Sequence, residues 1–304
     1  MKKQIGFIGL GRMGLNMVAR LLEKGYEVVA YDLSEEAVAE AQKLGAMGVF
    51  TVEEFVAKLS APRTIWIMIP AQAVESALDE LVPFSSVGDL IIEGGNTYYE
   101  ESKCRARELE DKGIGFLDVG VSGGIEGARR GACIMVGGRK EDFLRAEQIF
   151  VDLSVPYGYG YMGKSGAGHF VKMVHNAIEY GMVGAIAESL QAIEAHRKEF
   201  GTDLGEVVKV YGHGSIIAGR LVGEWLAEAW RDNPNLTSFD GDMPYGETED
   251  EMKKLEAQAF MPVLAAALAL RAEVRKKPSF AGKVINALRF YWGGHTRETA
   301  SKKQ

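Results

Sequence analysis

Residues 5–32 read IGFIGLGRMGLNMVARLLEKGYEVVAYD, and this stretch decides the fold. Ile5 to Ile8 is a short apolar run of the length and composition of a buried strand. Gly9-Leu10-Gly11-Arg12-Met13-Gly14 follows at once. Leu15 to Lys24 has helical character and stops at Gly25, and Val28 to Tyr31 is a second strand closed by Asp32. Strand, glycine turn, helix, strand and acid in that order predict a dinucleotide-binding unit. Gly9 permits the tight turn, Gly11 lets the backbone approach a pyrophosphate, and Gly14 lets helix and strand pack closely. The helix start offers N–H groups and a positive dipole end to the phosphates. Gly9, Leu10, Gly11, Arg12, Met13 and Gly14 are therefore candidate cofactor residues. A carboxylate at Asp32 accepts from both ribose hydroxyls and repels a 2′-phosphate. Leu33 and Ser34 bring no cation to hold that phosphate, so NAD is expected ahead of NADP.

Working outward, the alternation of strands and helices continues. Ser34 caps a helix to Leu44, and Thr51 starts another through Lys58. Thr64 to Ile69 is a strand ended by Pro70. Ligands of open α/β sheets sit at the strand ends, so Pro70 and Ala71 are expected to line the cofactor. Leu90 to Glu93 is a strand that leads into Gly94-Gly95-Asn96-Thr97. Asn96 offers its amide to the nicotinamide or to a substrate hydroxyl, or else caps the helix beginning near Tyr98. Phe116 to Val119 is a strand, followed by a loop from Gly120 to Gly127. The N–H groups around Ser122, Gly123 and Gly124 could cradle a carboxylate, or the glycines could simply serve positive φ angles. A glycine- and tyrosine-rich stretch, Pro156 to Lys164, is taken as the boundary. Residues 1–163 are thus expected to form a Rossmann-type α/β domain, and residues 164–304 an all-α substrate and dimerisation domain.

The second informative stretch is GKSGAGHFVKMVHNAIEYG, residues 163–181, the opening of a long helix. Lys172, His175, Asn176 and Glu179 fall at i, i+3, i+4 and i+7 and share one face. Val171, Val174, Ile178, Met182 and Ala185 lie opposite and are expected to bury. An amine and a carboxylate on one face can act as base and acid on one small substrate, although an exposed Lys–Glu face is the plainer explanation of the pattern.

Composition narrows the classes. With 304 residues there is room for two domains, and 47% apolar and 25% charged residues suit a folded soluble protein. A net charge of -7 and a pI near 5.5 argue against nucleic acid or an anionic membrane as the main partner. Cys104 and Cys133 alone imply no disulfide framework and suit a reducing compartment. The apolar start is broken by glycines and Arg12, so it is not taken as a leader, and no run reaches the ~18 apolar residues of a membrane helix. A cytoplasmic protein with a small-molecule substrate is expected.

Together these pieces resemble the β-hydroxyacid dehydrogenase superfamily, and within it the short bacterial form of the 6-phosphogluconate dehydrogenase family. The resemblance covers the whole chain. It is carried by the Gly9–Gly14 turn, the Asn96 loop, Ser122-Gly123-Gly124, the Lys172…His175-Asn176…Glu179 helix, Gly214-Ser215-Ile216-Ile217, and the tail Arg289…Gly293-Gly294-His295. It implies NAD-linked oxidation of 6-phosphogluconate at C3 with loss of carbon dioxide. Lys172 would be the base and Glu179 the acid that protonates the enediol, with Asn176 beside them and no metal needed. Ser122, Gly123 and Gly124 would hold the substrate carboxylate, and Asn96, His175 and Asn176 would meet its hydroxyls. Tyr180 would lie at the far end. Arg289 and His295 would reach the phosphate in the neighbouring subunit's site, which implies a homodimer or a dimer of dimers. Two departures touch the phosphate end. Ala218 stands after Ile217 where the family pattern implies an Arg, with Arg220 two positions on, and Asp242 to Thr248 carries no Lys or Arg. They support a second expectation, a relative acting on another sugar acid with no phosphate, or with a carboxylate or sulfonate, at that end.

Overall fold

The structure, a computed structural model, describes residues 3–215, 217–246, 248–258 and 261–294. His295, Ile216, Glu247 and Phe260 lie outside the described residues. The chain divides into two compact units, Met1–Met173 and Val174–Gln304.

The first unit is built on eight strands: β1 (Gln4–Ile8), β2 (Glu27–Tyr31), β3 (Met47–Val49), β4 (Thr64–Ile67), β5 (Leu90–Glu93), β6 (Gly115–Ser122), β7 (Ala132–Gly138) and β8 (Ser154–Gly163). Their order in one sheet is β3-β2-β1-β4-β5-β6-β7-β8. Pairings from β3 through β6 are all parallel. These six have the order of a doubly wound dinucleotide-binding sheet, whose switch point lies between β1 and β4. β7 runs antiparallel to β6, and β8 runs parallel to β7. Seven helices connect the strands: α1 (Arg12–Glu23), α2 (Glu35–Leu44), α3 (Val52–Ala57), α4 (Ala71–Leu81), α5 (Tyr99–Glu110), α6 (Gly124–Arg130) and α7 (Lys140–Leu153). Ser34 and Thr51 cap α2 and α3 through their hydroxyls, as expected.

Alternation along β4 shows why both sheet faces are dry. Ile65 and Ile67 join Phe55, Ile91 and Phe116 in one buried cluster, while Trp66 joins Phe7, Leu117 and Phe150 in another. A strand covered on both faces reads as a continuous apolar run, so periodicity alone could not assign the faces. At the rim, Asp152 accepts from Lys3 Nζ at 3.0 Å and from Tyr26 Oη at 2.9 Å.

Two segments of the first unit depart from what the sequence predicts. Composition makes Pro156 to Lys164 a connection, yet Ser154–Gly163 is an edge strand paired with β7. Residues 120–127 read as one loop, but β6 continues to Ser122 and α6 begins at Gly124. Ladder hydrogen bonds to β7 overcome the low strand propensity of glycine in both places.

Every regular element described in the second unit is helical. α8 (Ala167–Ala195) crosses the division between the units. Then come α9 (Arg197–Phe200), α10 (Leu204–Tyr211), a π-wound turn over Arg220–Leu226, α11 (Ala227–Asp232), α12 (Glu249–Gln258), α13 (Pro262–Lys276) and α14 (Phe280–Gly293). Pro262 stands in the first turn of α13, the part of a helix where a missing backbone N–H breaks no intrahelical hydrogen bond. Val183, Leu190, Leu204, Leu226, Trp230, Ile285 and Leu288 are among the buried core. No described helix is long and apolar enough to cross a membrane.

The expected burial of α8 is inverted. Ile178 is 62% and Met182 50% exposed, whereas Lys172, Met173, Asn176, Ala177 and Tyr180 are buried. Small residues let a helix approach its neighbours closely, and here they lie on the polar side. Gly184 packs on Ala267 of α13, and Gly168 faces the Asp118 carbonyl.

Candidate active site

The glycine turn after β1 is shaped by three different constraints. Gly9 has φ +95°, and a Cβ there would stand 2.4 Å from the Met68 carbonyl oxygen. At Gly14 a Cβ would stand 1.9 Å from the Gly9 carbonyl oxygen, so α1 rests directly on the turn. Around Gly11 no atom lies within 4 Å of a Cβ position. That space opens at the start of α1, where Gly11 is the N-cap and no side chain among the described residues caps the helix. Open space beside helix-terminal N–H groups fits a pyrophosphate. Asp32 braces the turn from below, accepting from Leu10 N at 2.6 Å and Ser34 N at 2.8 Å.

Beyond β4, Pro70 is the N-cap of α4, and Ala71 is its first residue. The loop after β5 lies against this segment, since a Cβ at Gly95 would be 2.7 Å from the Ile69 carbonyl oxygen. Asn96 is exposed on that loop. It does not cap α5, whose N-cap is Tyr98 with no capping side chain among the described residues. Glu93 lies fully buried beneath it. Its carboxylate accepts from Thr97 Oγ1 and meets Arg105 Nη1 at 3.4 Å.

Lys172 is 8% exposed and backs onto β6, where a Cβ at Gly120 would be 2.4 Å from its own Cβ. Asp118, two residues earlier on the strand, is fully buried. It accepts from Gly166 N at 2.7 Å and His169 N at 2.9 Å, and so caps the start of α8. β6 ends at Ser122, with Gly123 at φ +123° and Gly124 at φ +62°.

In the second unit, α8 presents His175, Asn176, Glu179 and Tyr180. His175 Nδ1 lies 3.3 Å from Asn176 Oδ1. Tyr180 is buried, and its hydroxyl shares a 2.9 Å hydrogen bond with Thr248 Oγ1. The Arg271 guanidinium of α13 stacks on the Tyr180 ring at 3.9 Å. Burial depresses the Arg271 pKa, and Tyr180, Glu249 and Glu179 partly offset this. Arg275 donates to both oxygens of the buried Glu249, at 2.9 and 2.5 Å. Arg289 is buried on α14. Arg220 is exposed and pairs with Glu224 at 2.9 Å.

A family profile for the NAD binding domain of 6-phosphogluconate dehydrogenase matches residues 4–163, and one for the C-terminal domain of the same enzyme matches residues 168–198. YqeC of Bacillus subtilis, by name a candidate 6-phosphogluconate dehydrogenase, is 41% identical over 298 residues, covering 97% of this chain and 99% of that one. The chain belongs to the 6-phosphogluconate dehydrogenase family. The NAD(+)-dependent, decarboxylating 6-phosphogluconate dehydrogenase of Haloferax volcanii is 38% identical over 297 residues, 96% of this chain and 97% of that one. The solved 6-phosphogluconate dehydrogenase of Plasmodium falciparum superposes with a TM-score of 0.79 at 31% identity. That match covers 90% of this chain and 62% of the longer Plasmodium chain. This protein is thus an oxidoreductase of the 6-phosphogluconate dehydrogenase family, with an NAD(P)-binding first domain.

Sequence reasoning missed three members of the site region. Asp118 and Glu93 are single acids inside apolar strands, and Arg271 is a single cation in the run Leu264–Val274. A charge set in a mostly apolar segment was the available signal, because a buried charge is kept only where something pairs with it.

Proposed function

We propose that this chain oxidises 6-phosphogluconate at C3 with NAD and releases carbon dioxide, giving ribulose 5-phosphate. The observation that carries this reading is the buried Arg271 stacked on Tyr180. The Asp242–Thr248 loop lacks a cation, and Ala218 cannot supply one, which leaves the substrate's far end in question. Arg271 answers it from another element. A guanidinium held by its face keeps its N–H donors in the plane, where they suit a phosphate dianion.

When bound, the dinucleotide supplies the hydride acceptor. Lys172, unprotonated at the outset, takes the C3 hydroxyl proton. The resulting 3-keto acid loses its carboxylate, and Lys172, now protonated, polarises the ketone during that loss. Glu179 then delivers a proton to C1 of the five-carbon enediol. Ser122, Gly123 and Gly124 hold the carboxylate, while His175 and Asn176 bind substrate hydroxyls. Asn96 orients the nicotinamide amide or a hydroxyl. Gly9 to Gly14, Pro70 and Ala71 line the cofactor. Asp32 repels a 2′-phosphate and favours NAD. Residues 1–163 serve the cofactor, and residues 164–304 serve the substrate and a homodimer. The exposed Ile178 and Met182, with Val263 beside Gly181, support that assembly, in which Arg289 and His295 would complete the neighbouring site.

A second reading, oxidation of a sugar acid without the phosphate, draws on Ala218 and the acidic loop. The experiment mixes the protein with NAD or NADP and with 6-phosphogluconate or gluconate, following NADH and carbon dioxide together. Equal yields of both with 6-phosphogluconate alone support the first reading. NAD binding without turnover of 6-phosphogluconate overturns it.

A further inference from the structure

Beneath the Asn96 loop lies a buried polar group that the reaction above does not use. His169 is 2% exposed and sits one helical turn before Lys172 on α8. Its Nδ1 lies 2.7 Å from Ser102 Oγ and 3.9 Å from Glu93 Oε2. Glu93 holds Thr97, the neighbour of Asn96, and Arg105 of α5. The His169 backbone N–H is fixed separately, by Asp118. On the other side of the ring, Nε2 is buried and has no hydrogen-bond partner among the described residues. Packing alone gives no reason to bury an idle ring nitrogen, and an apolar side chain would fill the same space at lower cost. What the imidazole gains is the connection through Nδ1.

We propose that His169 is a positioning residue that locks the Asn96 loop to the helix bearing Lys172. The inference rests on the roles proposed above for Asn96 and Lys172. Residues three apart on a helix move together, so a shift of His169 carries Lys172 with it. Ser102, on the helix that follows the Asn96 loop, bonds the ring, and Glu93, which holds Thr97 beside Asn96, lies 3.9 Å from the same nitrogen. The two groups that address the reacting C3 and the nicotinamide are thereby held in one frame. Small errors in that alignment cost rate rather than affinity.

The test compares wild type with His169→Leu, His169→Asn, Ser102→Ala and Lys172→Met in the full-length protein. NAD affinity, kcat and KM for 6-phosphogluconate, and hydrogen exchange of residues 94–98 are measured for each. His169→Leu should lose about 30-fold in kcat, with NAD affinity and KM within about threefold of wild type, as expected for lost alignment. Exchange in the 94–98 loop should rise in parallel. His169→Asn places an amide near the Nδ1 position and should recover most of the rate. Wild-type turnover and a protected loop in His169→Leu overturn the proposal. So does an equal loss of folding and NAD binding in both His169 variants. Should His169→Leu fail to fold, Ser102→Ala keeps the ring, removes the bridge, and tests the same link. A wild type that binds NAD but leaves 6-phosphogluconate untouched sinks the proposed substrate, and loop exchange then still judges the His169 link.

Discussion

The guanidinium of Arg271 lies 3.9 Å from the centre of the Tyr180 ring, and both side chains are buried. Tyr180 in turn bonds Thr248 at 2.9 Å, so the pair ties α8, the Thr248 loop and α13 together. Arg271→Leu should raise KM for 6-phosphogluconate about 30- to 100-fold while kcat falls much less, the pattern expected when the proposed charge-assisted contact to a non-reacting group is lost. Arg271→Lys should recover only part of this, because an ammonium cannot stack or bind two oxygens in one plane. A loss of kcat with unchanged KM would place Arg271 elsewhere in the reaction.

Gly11 and Gly14 should part company under the same substitution. Nothing stands near a Cβ at Gly11, so Gly11→Ala should leave the melting temperature within about 2 °C of wild type. The methyl would occupy the space left for the pyrophosphate, and NAD affinity should fall at least tenfold. Gly14→Ala meets the Gly9 carbonyl and should lower the melting temperature clearly before any question of binding arises. Thermal unfolding beside NAD titration reads both.

Asp32→Ala removes the acceptor for two backbone N–H groups of the turn region as well as the proposed ribose contact. NAD affinity should drop by an order of magnitude or more, and the NAD-to-NADP ratio should fall at least tenfold. Parallel titrations with the two dinucleotides decide it, because equal losses would mean that Asp32 only braces the turn.

Lys172→Met should abolish oxidation and leave NAD affinity nearly unchanged. Gly120→Ala provides a subtler check. Its methyl would collide with the Lys172 Cβ and must push the side chain away. A kcat loss of about 10- to 100-fold, with the cofactor still bound, is expected from displacing a base by a fraction of an ångström. Single-turnover measurements would show whether the chemical step is the one slowed.

Asp152 is held at the sheet rim by Lys3 and Tyr26. Burial alone would raise its carboxyl, but hydrogen bonds from Lys3, Gln148 and Tyr26 outweigh this and the pKa is lowered. A carboxylate with a depressed folded pKa stabilises above its unfolded pKa, and the contribution fades as pH falls through the folded value. Asp152→Asn should therefore melt lower than wild type at neutral pH, and the gap should narrow as the pH falls through and below the ordinary carboxylate range. A gap independent of pH would assign the loss to packing.

Much of the fold is legible in the sequence because it depends on local covalent constraints. A turn that needs Gly9 at φ +95° and a bare Gly14 announces itself in six residues. Ser34 and Thr51 are visible as caps for the same reason. The rest depends on which neighbours the fold brings up. Helical spacing places Lys172 and Asn176 on one face but cannot say that this face is the buried one. The alternation Tyr157-Gly158-Tyr159-Gly160-Tyr161 carries a strand's period of two, hidden by glycines that read as a linker. Arg271 stands out little in an alanine- and leucine-rich helix, and its meaning comes from Tyr180 beneath it.

The reversed pair β7 and β8 has a consequence for the direction of travel. Six strands deliver their loops to one rim of the sheet, and a chain leaving at that rim would have to send a helix downward, away from the ligands. Because β8 runs the other way, the chain exits at the opposite rim and α8 can climb. Its ascent can be followed against β6, from Gly168 beside Asp118 to Lys172 beside Gly120. Four helical residues rise about 6 Å and two strand residues about 6.6 Å, so the two elements keep pace. The amine is thus hoisted from beneath toward the rim where Ser122 ends its strand, and the detour through two backward strands acts as the staircase.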